Sequence, residues 1–433
     1  MLLAMPSGSV HRLLFVAPFA PRLDGMHGGS RVIAQLIAAL GRRHTVGVIY
    51  LRAPGEPAID GLLARSCDLI VEVPRMWETS ASRWRRALRL GAGLATGTPM
   101  WARRWWVPEC HDAVRTATER WRPDIVQFEF HIMGQYAAAA ADFGVPRILV
   151  EHEPGTSAAA DRVSAFRGLA RLVAVADHQA WRGFERRILR QFDRIVAFTR
   201  RDALSIGSLA GGVPIVRIPF GIELPASPLD PIGHGPPTVL FLGSFAHYPN
   251  EDAAVRLASS ILPLVHRRRR EVVVSLIGTK PTRRLLSCVG PSVLLDVAVP
   301  DVTPYLDRAA VVAAPLRFGG GMRVKVLEAL AAGKATVCSP LAVEGLGVRH
   351  GEQVCLAETD AEFAGGIVEL IEHPERRRDL GRRAREWALI HADIDRPAVA
   401  YEQLYESVRA FPPRSNDTAA LSDRTETAAP LRL

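Results

Sequence analysis

Residues 219–242 read PFGIELPASPLDPIGHGPPTVLFL, and the fold turns on this stretch. As far as Pro237 it is crowded with Pro and Gly, which neither a helix interior nor a central strand accepts. It then runs into TVLFL (238–242), a short apolar run of the kind a buried parallel strand presents. The same pattern repeats on both sides of it. Upstream, the strand candidates are LLFVA (13–17), TVGVIYL (45–51), DLIVEV (68–73), DIVQF (124–128), RILV (147–150), RIVAF (194–198) and 216–218, with helical spacing over 30–40 and 158–189 between them. Downstream, strands are expected at 238–242, 271–277, 293–297, 311–314 and 335–338, and helices at 322–332 and 396–410. Strand and helix in alternation specify α/β domains with parallel, doubly wound sheets.

The pattern therefore predicts two Rossmann-like domains, 11–219 and 238–392, joined by a linker at 220–237. A helix within 393–411 is expected to pack back on the first domain, ahead of a polar, irregular tail, 412–433. The 433 residues exceed what one core normally reaches, roughly 250–300.

With 48% hydrophobic and 23% charged residues the composition is that of a soluble globular protein. No apolar run approaches the roughly 18 residues of a membrane span. The opening MLLAMPSGSVHRLLFVAPF reads as a short extension into a first strand rather than a signal peptide. Cys67, Cys110, Cys288, Cys338 and Cys355 are scattered, with neither disulfide-framework nor zinc spacing. A cytoplasmic location follows most simply, with no metal and no cofactor expected.

Residues 1–222 hold 29 Arg and no Lys against 19 Asp plus Glu, so the whole net charge of +9 lies in the first half. That surplus fits an anionic partner, although a general preference for Arg would also produce it.

Two glycine-rich turns carry chemistry. Gly28 and Gly29 follow the first strand and open a helix, where backbone N–H groups and the helix dipole suit an oxyanion or simply cap the turn. Gly319, Gly320 and Gly321 do the same before the helix over 322–332, now with Arg323 and Lys325 in its first turn. Cations there oppose the dipole by roughly 0.3–1 kcal/mol each, a conflict that a bound diphosphate removes. Glu328, on the same helix, offers a carboxylate that can accept two ribose hydroxyls. Gly243 and Ser244 end the first strand of the second domain, at the sheet edge where such folds bind ligands.

The string FGGGMRVKVLEALAAGKATV, followed by SPLAVEGL, resembles the nucleotide-sugar motif of glycosyltransferase family 4, a retaining family of GT-B fold. GSFAHYPNEDAAV (243–255) and VPDVTPYLDRAAVVAAPL (299–316) resemble that family's second domain as well. The resemblance implies two Rossmann-like domains facing across a cleft and transfer of a sugar from a nucleotide-sugar to a glycan or lipid-linked acceptor, without obligatory metal. Cell-envelope or exopolysaccharide synthesis is the expected setting. It places the ribose on Glu328, the diphosphate on Arg323 and Lys325, and the donor against Gly28, Gly29 and the triple glycine. It puts His131 near the anomeric carbon; Glu344 either faces the donor or caps a helix. Glu129, Glu151 and His152, also at first-domain strand ends, become acceptor candidates. One departure stands out: the family's first motif glutamate falls on Gly320, eight residues before Glu328.

RWRRALRLGAGLATGTPMWARRWW (83–106) packs six Arg and four Trp into one segment, suited to an anionic membrane surface or to packing on its own domain. No nucleic-acid motif accompanies it. A sugar-nucleotide epimerase or a non-catalytic nucleotide-sugar binder of the same fold are the competing readings. A dehydrogenase would need GxGxxG, which neither domain start provides.

Overall fold

The computed structural model describes residues 9–24, 28–76, 97–299, 301–320 and 324–410. Gly321, Arg323, the 83–96 part of the Arg and Trp segment and the 412–433 tail lie outside the described residues.

The first sheet holds seven strands: β1 (Arg12–Ala17), β2 (Thr45–Arg52), β3 (Leu69–Pro74), β4 (Ile125–Glu129), β5 (Arg147–Glu151), β6 (Arg194–Ala197) and β7 (Ile215–Arg217). Their order is β3-β2-β1-β4-β5-β6-β7, all parallel. The second sheet has six: β8 (Thr238–Ser244), β9 (Val273–Thr279), β10 (Val293–Val297), β11 (Val311–Ala314), β12 (Thr336–Cys338) and β13 (Cys355–Leu356). These run β10-β9-β8-β11-β12-β13, again parallel. Each sheet reverses its winding once, beside β1 and beside β8, and ligand crevices open at such switch points. This is the two-sheet α/β architecture, GT-B in type, that the alternating pattern predicts.

The helices follow their apolar spacing. In α1 (Gly28–Gly41), Val32, Ile33, Leu36, Ile37 and Leu40 face inward. They share a core with Leu327 and Ala331 of the helix Val324–Ala331, which belongs to the second half. The first turns of these two helices touch, since a Cβ at Gly28 would lie 3.3 Å from Val324 Cγ2. Gly28 thus serves the packing of one half on the other.

The helical spacing over 158–189 resolves into two helices, α2 (Gly155–Ala165) and α3 (Gly168–Leu189). The break falls where Phe166 is extended and Gly168 takes φ +56°, a conformation that costs glycine little. Apolar periodicity continues through the break, which hides it from a pattern reading.

Two later helices complete the frame, α4 (Val324–Ala331) and α5 (Asp395–Ala410). α5 buries Tyr401, Leu404, Tyr405 and Val408 in the core that contains α1. Each such side chain contributes roughly 1.5–3 kcal/mol. The Tyr405 hydroxyl donates to Gln127 Oε1 at 2.7 Å, and Glu402 pairs with Arg43 at 2.6 Å. The last described helix of the chain is thereby fastened to the first half.

Candidate active site

The carboxyl edges of β8 and β9 open onto a cavity of about 200 Å3 between the two halves. Gly243, Gly278 and Thr279 line it from the second sheet, Asp301 and Val302 from the loop after β10, and Asp24 and Arg31 from the first half. Lys325, in the first turn of α4, closes it. Gly243 and Gly278 stand side by side in register. A Cβ at Gly278 would fall 1.8 Å from the Gly243 carbonyl oxygen, so the strand ends are stripped to backbone by necessity. Ser244 Oγ accepts a hydrogen bond from Thr279 Oγ1 at 3.1 Å, which ties the two edges together.

Glu328 adjoins the wall of this cavity without being part of its lining. Its carboxylate pairs with Arg31 across the two halves, both side chains less than a fifth exposed. Glu328 Oε2 and Arg31 Nε are buried with no hydrogen-bond partner. Burial pushes the Lys325 ammonium below the usual lysine range; Glu328 pulls it back up and Arg31 presses it further down. Asp24 and Asp301 also line the cavity, but at the Lys325 end two cations share one carboxylate that has an unused oxygen, and an anion with hydroxyls beside it satisfies all three.

The triple-glycine loop is engaged differently. Gly319 N–H donates to Asp161 Oδ2 at 3.0 Å and Gly320 N–H to Glu153 Oε1 at 3.1 Å, both acceptors lying in the first half. Gly319 has φ +100°, which only glycine adopts readily. Close by, Glu344, at the end of a short 3-10 turn, pairs with Arg201 at 3.3 Å. The loop amides assigned from the sequence to an oxyanion therefore meet carboxylates.

His131 and the acceptor candidates sit elsewhere, beneath the end of the first sheet. Phe130 turns the chain with φ +70°, a strained value for a non-glycine residue, and stacks on His152 at 3.9 Å. His131 is then directed inward, 3% exposed, with Nδ1 2.8 Å from Glu151 Oε1 and its ring edge-on to Trp181. Burial opposes its positive form, but the Glu151 carboxylate overcomes this and lifts its pKa above the usual value. His131 Nε2 and Glu151 Oε2 are buried without partners. Glu185 completes the group; burial raises its pKa, and both its oxygens accept from Thr156.

His131, Glu151 and Glu185 present ligand atoms within 4.8 Å of one another, close enough to hold a cation as well as a proton. Glu129 and His152 pair at 2.6 Å, and Glu129 also accepts from Gln127 at 2.7 Å, in the network that reaches Tyr405. None of these residues lines the Lys325 cavity. The structure thus brings Gly243 and Lys325 to one cavity, with Glu328 paired to the Arg31 of its wall, and leaves His131, Glu129, Glu151 and His152 outside that lining, with His131 and Glu151 near enough to Glu153 and Asp202 to interact with their charges.

Arg31 escaped the sequence reading, although its signal equals that of Lys325: a cation in the first turn of a helix that follows glycines. Glu153 and Asp202 also escaped it. Glu153 stands two residues beyond Glu151 in VEHEP, and Asp202 opens a helix after β6, positions that look like ordinary capping.

Two parallel sheets meeting at a cleft have the arrangement of a GT-B fold, and the family models make the chain a glycosyltransferase. Residues 26–224 match the model of Glycosyltransferase Family 4, and residues 236–373 match that of Glycosyl transferases group 1. The chain belongs to glycosyltransferase family 4.

Among solved structures, sucrose-phosphate synthase from Thermosynechococcus elongatus superposes with a TM-score of 0.71 at 15% identity, covering 92% of this chain and 99% of that one. HepE from Anabaena, in complex with UDP and glucose, gives 0.63 at 12% identity, over 92% and 100% of the two chains. A trehalose-6-phosphate structure from E. coli with UDP-2-fluoro glucose gives 0.62 at 12%, over 92% and 99%. At these identities the likeness is one of fold. Among curated proteins none matches the chain in sequence.

Proposed function

We propose that the enzyme moves a hexose from a nucleotide-sugar, with retention of configuration and no metal, to a glycan or lipid-linked acceptor in cell-envelope or exopolysaccharide synthesis. One observation carries the donor site: the cavity joining the glycine-stripped edge of the second sheet to Lys325 and Arg31, with Glu328 held between these cations. The donor diphosphate lies against Lys325 and Arg31, with Arg323 added on the family resemblance of the motif, and the ribose hydroxyls bind Glu328 Oε2, which is buried and lacks a hydrogen-bond partner in the free protein. As the sugar–phosphate bond breaks, negative charge builds on the leaving diphosphate. Buried cations set in advance stabilise that charge more than they stabilise the ground state. The acceptor hydroxyl attacks from the leaving-group face and gives its proton to the departing phosphate. UDP is the first base to test, because HepE and the E. coli structure carry UDP or a UDP-sugar.

The test is a thermal-shift screen against UDP-, GDP-, ADP- and dTDP-sugars in EDTA, then in magnesium. A donor at one hundred times its Kd stabilises by about 2.7 kcal/mol. The expected result is a shift with one base in EDTA, strongly reduced in Glu328→Ala. Silence across the panel sinks the reading.

A peripheral contact with anionic membrane belongs to the same proposal. No described helix is long and apolar enough to cross a membrane. The start of α3, however, exposes Leu169, Leu172 and Val173 beside the exposed Arg167 and Arg171, and Trp101 and Trp106 are also exposed. Apolar side chains flanked by Arg suit an anionic interface. Flotation with phosphatidylglycerol liposomes is expected to carry the protein and to lose the Leu169→Ser/Leu172→Ser variant. Absence of binding at low salt removes this part.

A further inference from the structure

The motif position that carries a glutamate elsewhere in the family is Gly320 here, and first-half carboxyl groups fill the space around it. A Cβ built on Gly320 would meet Asp202 Oδ1 and Glu153 Cγ at 3.5 Å each, and Glu153 Oε1 at 3.9 Å. Glu153 Oε1 already accepts the Gly320 N–H. Asp202 is 1% exposed; its Oδ2 accepts from Thr199 Oγ1 at 2.7 Å, while Oδ1, on the Gly320 side, is buried with no partner.

Two groups of opposite charge therefore flank one loop. Lys325 and Arg31 suit a diphosphate. Glu153 and Asp202 repel one, but accept hydrogen bonds from a neutral polyhydroxyl group.

We propose that Glu153, supported by Asp202, binds hydroxyls of the donated sugar and replaces, from the first half, the carboxylate that position 320 lacks. This rests on the donor reading above and names what holds the sugar where it extends past the Lys325 cavity, whose lining includes neither Glu153 nor Asp202. It also follows that sugar recognition requires the two halves together, because the carboxylates lie on one and the glycine loop on the other.

Calorimetry with UDP, and with the best bound of UDP-glucose, UDP-galactose and UDP-N-acetylglucosamine, tests the assignment on wild type, Glu153→Ala and Glu153→Ala/Gly320→Glu. Gly320 lies outside the left-handed region, so its backbone accepts a side chain once Glu153 is removed. UDP affinity is expected to be unchanged throughout. The extra affinity of the UDP-sugar over UDP is expected to fall roughly 10- to 100-fold in Glu153→Ala, the worth of a charged hydrogen bond, and to return in the double variant. A loss shared equally by UDP and UDP-sugar, an unchanged sugar increment in Glu153→Ala, or a double variant no better than the single one overturns the assignment while the donor site stands. Wild type binding no nucleotide or nucleotide-sugar of the four-base panel overturns the donor reading and this assignment with it; if the base is not uridine, the same titrations use that nucleotide and its sugars.

Discussion

Replacing Glu328 with Ala separates its two tasks, holding Arg31 and receiving the ribose. In the free protein it pairs with Arg31 at a site less than a fifth exposed and offsets the push of Arg31 on Lys325. Removing one partner of so enclosed a pair costs at most about 3–5 kcal/mol, less than the stability of a typical domain. Binding suffers separately. Two hydrogen bonds from ribose hydroxyls to a carboxylate are worth about 1.5 kcal/mol each at the low end. Arg31, once released, recovers part of this by turning toward phosphate.

The net loss is about 2–3 kcal/mol, or roughly 30- to 150-fold in Kd. Calorimetric titration with UDP reads this directly, with circular dichroism to establish that the fold persists. Glu328→Gln keeps the size and one acceptor, and its Kd is expected between those of wild type and Glu328→Ala. Folded Glu328→Ala that binds UDP within two-fold of wild type refutes the reasoning.

Lys325 is depressed below the usual lysine range, so between its folded pKa and about 10.5 the unfolded chain holds a proton the folded one lacks, and its contribution to stability rises with pH there. A diphosphate favours the charged form, so nucleotide binding at alkaline pH should take up a proton. Titration in buffers of different ionisation enthalpy measures it, and zero uptake across that range counts against phosphate contact. Asp202 is pushed up to about 6 by burial, opposed by its hydrogen bond to Thr199 and reinforced by Glu151. Its folded form binds the extra proton between about pH 4 and 6, so its contribution to stability is full below that window and falls as pH rises through it. Asp202→Asn should therefore raise the melting temperature at pH 7, by the equivalent of about 1–3 kcal/mol, and flatten that part of the pH profile. His131→Ala leaves Glu151 and Glu185 facing each other in a buried site; thermal unfolding should show a loss of about 3–5 kcal/mol at pH 7.

The two-sheet architecture was legible because buried parallel strands are local events: LLFVA, TVLFL and their counterparts declare themselves by apolar runs, and the Pro and Gly crowded into 219–237 separate one set from the other. The glycine turns and the cations after them were legible for the same reason, since a charge in the first turn of a helix is a conflict visible along the chain. Lys325, which lines the cavity, was singled out in this way, and Arg31, which lines it too, carried the same signal in GGSR.

What tertiary structure alone decided is who meets whom. Arg31 and Glu328 are 297 positions apart, Gly320 and Glu153 167 apart, and Tyr405 and Gln127 278 apart, and no periodicity couples such distant residues. The inward turn at Phe130, which takes His131 into the buried group with Glu151 and Glu185, likewise depends on the stacking of Phe130 with His152 after the sheet has formed. Local sequence determines where strands, turns and charges lie; the packing of one half on the other determines which charges face each other, because that interaction depends on distance in space.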